Sequence, residues 1–176
     1  MGVVDGPHLA MHFKGIKKRV KATNGLVFSS VRHPYDRAVS LFYWFNGLNN
    51  VPGKRRRPEH VILCNWARST DINTFWSRVD IKWINRGTRM FRPQTWFLKD
   101  NPEDGTLSEN IDNLLRFETL EEDWARIRCL SEESYKPLPH QNKSVRKTVD
   151  EELTQETKNL LLFIYEEDFR LLNYTP

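Results

Sequence analysis

The segment Leu26-Val-Phe-Ser-Ser-Val-Arg-His-Pro-Tyr-Asp-Arg-Ala-Val-Ser-Leu-Phe-Tyr-Trp-Phe45 decides the fold. Its first six residues, 26–31, are apolar apart from two serines, which is typical of a short strand buried on both faces. Pro34 suits the first position of a helix, where its missing N–H needs no partner. From Tyr35 onward the apolar residues recur at helical spacing. The segment therefore predicts a strand, a tight turn and a helix.

The turn between this strand and this helix concentrates groups that attract anions. Arg32, His33, Arg37 and Ser40 all fall in or near the predicted first turns of the helix. A helix N-terminus adds free N–H groups and the positive end of the helix dipole. The pattern indicates an anion site. The alternative is an ordinary strand-to-helix connection whose arginines lie on the surface.

The composition is that of one globular domain spanning residues 1–176. Hydrophobic residues make up 39% of the chain and aromatic residues 12%, which excludes a disordered protein. The net charge of +4 favours an anionic ligand, such as a nucleotide, a sulfated glycan, a nucleic acid or a membrane surface. Cys64 and Cys129 lack metal-ligand spacing, so no metal is expected. No stretch is long enough for a membrane span, and no signal-peptide pattern follows Met1.

The middle of the chain predicts a helix with an aromatic face. Residues 69–71 offer helix caps before apolar residues that are spaced for one face from Ile72 to Trp83. Gly87 then predicts the end of this helix. We interpret the aromatic side chains on that face as core rather than as platforms for stacking a ligand.

The second half of the chain predicts another strand and two more helices. Residues 111–117 are typical of a core strand, and Thr119 with Glu122 fits a capping box for a helix to about Leu130. A helix over 154–165 follows. Five apolar residues in and after it are expected to be buried: Leu160, Leu161, Phe163, Ile164 and Phe169. Alternation of strands and helices predicts an α/β fold with parallel strands at the centre and helices on both faces.

Residues Val31-Arg-His-Pro-Tyr-Asp-Arg-Ala-Val-Ser40 closely resemble the 3′-phosphate-binding motif of sulfotransferases, Arg-x-Pro-x-x-Arg-x-x-Ser. The resemblance points to the carbohydrate sulfotransferases and their bacterial or viral relatives. It implies a P-loop-like three-layer sandwich, with a central parallel sheet flanked by helices. It also implies that Arg32 and Ser40 hold the 3′-phosphate of the cosubstrate 3′-phosphoadenosine-5′-phosphosulfate.

Other segments of the chain resemble the same family and supply further candidate residues. His8 matches the position of the histidine that deprotonates the acceptor hydroxyl, and a plain surface histidine is the alternative. Residues 89–98 resemble a segment that lines the acceptor cleft, and residues 136–144 resemble a loop that closes over the nucleotide. The first region supplies Arg89 and Gln94 as candidates for acceptor binding, and plain surface roles are the alternative for both. The loop and the residues just after it supply Lys143 and Arg146 as candidates for anion contacts. The ending 165–174 also matches the family.

One part of the family pattern is not found in the sequence, namely the Gly-rich loop with a lysine that cradles the 5′-phosphosulfate. The chain is therefore expected to be an N-terminally incomplete sulfotransferase-like domain, or else a relative that binds a nucleotide or glycan without transfer. The resemblance implies a nucleotide cosubstrate and a hydroxylated acceptor, a glycan in the family it points to, and no nucleic acid. It implies a cytoplasmic enzyme if the source is bacterial or viral, and the Golgi lumen if the chain is a fragment of a eukaryotic enzyme.

A third interpretation belongs to a different class of protein. Basic residues cluster at 14–21 and at 54–57, with aromatic residues nearby. Such clusters are the electrostatic signature of nucleic-acid-binding modules. A run of basic residues is also common on an ordinary solvated surface.

Overall fold

A computed structural model of the 176-residue chain describes residues 27–47, 58–79, 89–128 and 147–176. Two strands lie in these segments, β1 (Phe28–Val31) and β2 (Asn113–Arg116). The helices there are α1 (Pro34–Gly47), α2 (Pro58–Ser69), α3 (Ile72–Ser77), α4 (Thr95–Leu98), α5 (Leu120–Arg128), α6 (Val149–Glu152), α7 (Gln155–Ile164) and α8 (Glu166–Leu171). Short 3₁₀ helices at Arg89–Phe91 and Phe117–Thr119 precede α4 and α5.

The two strands pair in parallel, as the alternation of elements predicts. Phe28 is aligned with Asn113 and Val31 with Arg116. Parallel strands need a long crossover connection, and here the crossover contains α1 to α4. The chain therefore has an α/β fold, and both strands are shorter than the runs 26–31 and 111–117 that predict them.

Helix α1 covers the core with one face, and its boundaries follow the prediction. Pro34 is its first residue, and the Arg37 N–H donates to the His33 carbonyl at 2.8 Å, which closes the first turn. The buried face recurs every three or four residues, at Tyr35, Ala38, Val39, Leu41, Phe42 and Phe45. This face fixes the direction in which the opposite side of α1 presents its polar residues.

The centre of the core is aromatic. Phe45 stacks on Phe91 with ring centroids 5.8 Å apart. Trp76 packs edge-on against Phe91 and Phe75, and Phe75 lies tilted against Phe45 and Phe91. All four side chains are fully buried. The predicted assignment of the α3 aromatic residues to the core is confirmed. Edge-to-face and offset packing of this kind adds stability beyond the burial of apolar area.

Two predicted helix features are wrong. Helix α3 does not continue toward Gly87, because the N–H groups of Arg78 and Val79 bond to carbonyls three residues back, at 3.2 and 3.0 Å, and close the helix. Residues 80–88 lie outside the described part of the chain. The predicted capping box at Thr119 is not formed, because Thr119 is the last residue of a 3₁₀ helix that leads directly into α5. Its hydroxyl donates to the Asp123 carboxylate at 3.2 Å. Asp123 also accepts the Arg116 N–H at 2.7 Å and so ties β2 to α5.

Helix α7 confirms its predicted span but not its predicted buried set. Thr154 caps it, accepting the Thr157 N–H at 3.3 Å. Leu161 and Phe169 are fully buried, whereas Leu160 and Ile164 are half-buried. Phe163 is 72% exposed, so its predicted burial is wrong. Phe163 is two positions after Leu161, and this step rotates its side chain about 200° around the helix axis, away from the core-facing side. No helix in the described residues is both long and apolar enough to cross a bilayer.

We expect Phe75→Ala to lower the free energy of unfolding by about 3–5 kcal/mol, because it empties a fully buried site among four aromatic rings. Urea denaturation measures the change. The matched control is Phe163→Ala, which removes the same side chain from an exposed position and should cost less than about 0.5 kcal/mol. Equal losses in the two variants contradict this account of the core.

Candidate functional site

The candidate site lies where β1 ends and α1 begins. Only Arg32 and His33 separate the strand from Pro34, so the chain turns sharply and the first turn of α1 faces the strand end. In open α/β sheets the carboxyl ends of parallel strands are where ligands bind. The fold thus places the arginine-rich turn, which the sequence predicts to be an anion site, at the edge of the sheet where such folds bind ligands.

Arg32 is fixed both through its backbone and through its side chain. The Gln94 side-chain amide accepts the Arg32 N–H at 2.9 Å and donates to the Arg32 carbonyl at 2.8 Å. The Arg32 Nε–H donates to the Asp36 carboxylate one helical turn away. The guanidinium carbon also lies 4.1 Å from the centroid of the Phe117 ring. A planar cation held on an aromatic face and by a carboxylate has little rotational freedom.

A cleft of about 420 Å³ opens beside this turn, between β1, α1 and residues 89–98. Its polar lining consists of Ser29, Ser30, Arg32, Arg37, Ser40, Arg89 and Gln94. Its apolar lining consists of Leu41, Trp44, Met90, Phe97 and Leu98. Three guanidinium groups and no carboxylate belong to the described lining, so the cleft favours an anion. The N-terminus of α1 adds to the same positive potential.

Arg37 lies within this cleft and also builds its wall. Its Nη2 donates to the carbonyls of Met90 and Arg92, at 2.7 and 2.8 Å. These two bonds attach the 3₁₀ helix at Arg89–Phe91 to α1 and bring Arg89 to the cleft. Arg92 is not among the lining residues, and its guanidinium stacks on the Trp96 ring at 4.1 Å. Burial and the neighbouring Arg89 charge lower the pKa of Arg92.

Four of the predicted site residues line this one cleft, although up to 62 positions separate them in sequence: Arg32, Ser40, Arg89 and Gln94. The other three lie outside the described residues: His8, Lys143 and Arg146. The basic runs at 14–21 and 54–57 lie outside them as well. Sequence reasoning missed Trp44 as a lining residue, because it fits the apolar pattern of α1. The segment 89–98 indicated the region of Met90 and Phe97 but did not single out either residue. Within the described residues, no three His, Cys, Asp or Glu side chains gather as a metal site.

The residue after Arg32 is held by a second carboxylate. The His33 N–H donates to Glu118 at 2.6 Å, and the Tyr174 hydroxyl donates to the other oxygen of Glu118 at 3.0 Å. The His33 ring accepts the Tyr35 N–H at Nδ1, so its Nε2 carries the proton and donates to the Thr175 carbonyl at 2.9 Å. Burial and the Glu118 charge raise the pKa of Tyr174. Glu118 therefore acts as a local support for the turn.

Beneath the cleft, the Arg37 guanidinium lies 5.4 Å from the Tyr165 ring centroid. Tyr165 is fully buried at the end of α7. Burial raises the pKa of Tyr165 to about 12, and the nearby Arg37 charge offsets part of this rise. The neutral phenol is the form that the fold stabilises.

Comparison with known proteins gives one match. The model of the sulfotransferase family matches residues 8–175, which is nearly the whole chain. A search of curated proteins and a search of solved structures each gave no match. The family match begins at His8 and includes every residue of the cleft.

We expect alkaline pH to destabilise the protein through Tyr165. Above pH 10 the folded state keeps the proton of the Tyr165 hydroxyl, whereas the unfolded chain releases it. The resulting contribution to the free energy of unfolding is complete below pH 10 and is lost as pH rises through about 12. The loss should reach roughly 2–3 kcal/mol. Chemical denaturation of wild type and Tyr165→Phe between pH 9 and 12 measures this loss. The free energy of unfolding of wild type should fall relative to that of the variant as pH rises. Parallel pH curves for the two proteins contradict the assignment.

Proposed function

The chain belongs to the sulfotransferase family, and we propose that it moves a sulfuryl group from 3′-phosphoadenosine-5′-phosphosulfate to a hydroxyl group of a carbohydrate. The observation that carries the proposal is the cleft at the end of β1. There the residues of the Arg-x-Pro-x-x-Arg-x-x-Ser motif bring two guanidinium groups and a hydroxyl to one anion-binding surface. Members of this family are transferases. The donor and the acceptor named here are our proposal.

The described residues fit the nucleotide part of this donor. A volume of about 420 Å³ falls within the range of roughly 300–1,000 Å³ that is usual for small-molecule sites. Arginine provides paired N–H donors that match phosphate oxygens, and a serine hydroxyl adds a further donor. In the proposal Arg32 and Ser40 hold the 3′-phosphate, while Lys143 and Arg146 provide additional anion contacts. The apolar wall around Trp44 offers surface to the uncharged parts of the ligand.

The proposed reaction needs no metal ion and little covalent chemistry from the protein. The bond between sulfur and the bridging phosphate oxygen breaks as a bond forms from sulfur to the acceptor oxygen, and His8 takes the hydroxyl proton. As in phosphoryl transfer, most of the rate enhancement then comes from positioning and charge stabilisation. Arg89, exposed at the rim of the cleft, is the candidate for contact with the acceptor. The side-chain amide of Gln94, the other predicted candidate, bonds to the backbone of Arg32.

We expect adenosine 3′,5′-bisphosphate to bind the wild-type protein, and Arg32→Ala to weaken this binding about 100-fold. The variant removes a charge-assisted pair of hydrogen bonds to phosphate, worth roughly 3 kcal/mol. Isothermal titration calorimetry measures both affinities. The matched control is Arg78→Ala, which removes the same charge from an exposed residue that does not line the cleft. Equal affinities for wild type and Arg32→Ala would falsify the assignment of the phosphate site.

We expect His8→Ala to bind the bisphosphate as wild type does and to transfer sulfate at least about 100-fold more slowly, since general bases usually contribute factors of 10² to 10⁴. Transfer of labelled sulfate from the donor to a panel of glycans measures the rate. Undiminished transfer by the variant rejects His8 as the base. A wild-type protein that binds the nucleotide but transfers nothing to any acceptor supports the alternative of a binding protein without transferase activity.

A further inference from the structure

Gln94 connects the anion-binding turn to the C-terminal helix α8. Its amide oxygen and nitrogen bond to both backbone groups of Arg32, at 2.9 and 2.8 Å. An amide that bonds the N–H and the carbonyl of one residue reproduces the contact that a neighbouring strand makes. Gln94 thus extends the pairing of β1 by one residue beyond Val31, where the ladder with β2 ends.

Asp168 on α8 fixes Gln94 in turn. One of its carboxylate oxygens accepts the Gln94 N–H at 2.8 Å. The other oxygen accepts the N–H and the hydroxyl of Thr95, each at 2.8 Å. Asp168 and Thr95 are fully buried. A buried carboxylate is costly unless donors surround it, and here residues 94 and 95 provide those donors.

The neighbouring contacts hold α8 against this segment. Lys99, which is 1% exposed, bonds to Glu167 at 2.5 Å. Phe169 is buried on the other side of Asp168 and packs edge-on against Tyr35 at the start of α1. Lys99, Glu167 and Phe169 thus fix the position of the Asp168 carboxylate relative to both α4 and α1. Hydrogen bonds from Asp168 to Gln94 and from Gln94 to Arg32 thus join α8 to the backbone of the anion-binding turn.

We propose that Gln94, which Asp168 holds in place, is a positioning residue for the phosphate site and acts through the backbone of Arg32 rather than on the ligand. The inference rests on the proposed binding of a 3′-phosphate by Arg32. It gives Gln94 a role that differs from contact with the acceptor. The two roles lead to different results, because a positioning residue changes nucleotide affinity in the absence of any acceptor.

A double-mutant cycle on adenosine 3′,5′-bisphosphate binding tests the inference, with wild type, Gln94→Met, Arg32→Ala and the double variant. Methionine keeps the length of the side chain and removes both hydrogen bonds. We expect Gln94→Met to weaken binding roughly tenfold. The double variant should bind no more weakly than Arg32→Ala alone, because Gln94 has no effect without the Arg32 side chain. The matched control, Gln155→Met at an exposed position of α7, should bind as wild type does.

A second variant, Gln94→Glu, gives a readout that a merely structural role does not move. In wild type the Gln94 nitrogen donates to the Arg32 carbonyl and lies 3.4 Å from the Asp168 carboxylate. In the ionised variant an oxygen takes the place of this nitrogen and is repelled by both groups. The protonated carboxyl group restores one donor and one acceptor toward Arg32. The affinity of the variant relative to wild type should therefore recover as pH falls from 8 to 5. This variant also serves if Gln94→Met does not fold.

Each outcome decides a separate question. If wild type does not bind the bisphosphate, or Arg32→Ala binds as wild type does, the proposed function fails and the inference fails with it. If Arg32→Ala loses affinity while Gln94→Met binds as wild type does, the positioning role is wrong and the phosphate site stands. Additive losses in the double variant are also against the inference, because they place Gln94 in direct contact with the nucleotide. A Gln94→Glu affinity that stays at a constant ratio to wild type across this pH range rejects it too.

Discussion

The parallel ladder between β1 and β2 is the contact on which the candidate site depends. The ladder is only four residues long, and its register places the end of β1 beside the end of β2. Arg32 follows one strand, and Phe117 and Glu118 follow the other, so the aromatic face and the carboxylate that hold the turn arrive together. A shift of one residue in this register would turn the side chains of β2 to the opposite face of the sheet and displace the two residues that follow it, which would leave the turn unsupported.

Aromatic rings keep the arginine side chains of this region in place. Besides Arg32 on Phe117, the guanidinium groups of Arg37, Arg92 and Arg116 lie over Tyr165, Trp96 and Tyr174. The flat, weakly hydrated guanidinium tolerates such contacts better than an ammonium group does. This arrangement preserves a positive cleft without a carboxylate in its described lining.

The local part of this structure could be predicted from the sequence, and the long-range part could not. Residues 26–45 predicted β1, the turn and α1, because strand composition, a proline at the first helical position and helical spacing agree there. The predicted burial of Phe163 failed because apolar character alone does not determine which side of a helix faces the core. Helix α3 ends at Ser77, where the N–H groups of Arg78 and Val79 bond to carbonyls three residues back, and no local sequence signal marks this end.

The hydrogen bonds between the Gln94 side chain and the Arg32 backbone could not be predicted from the sequence for a different reason. Glutamine is a common surface residue, and the backbone groups that it bonds lie 62 positions earlier in the chain. Asp168 is a further 74 positions away from Gln94. The family resemblance identified the region around Gln94 but suggested a contact with the ligand. Only the three-dimensional arrangement reveals that both ends of this amide contact the protein itself.

Arg32, Gln94 and Asp168 are far apart in the sequence, and this separation affects the order in which their contacts form. The helices form quickly because their contacts are local. Contacts between residues 32, 94 and 168 form more slowly, because large loops must close first. During synthesis the turn at Arg32 has left the ribosome long before Asp168 is added, so the nascent chain carries the motif without its supports. The supports of the anion site are therefore completed only after the C-terminal helices have been made, as is the core contact between Tyr35 and Phe169.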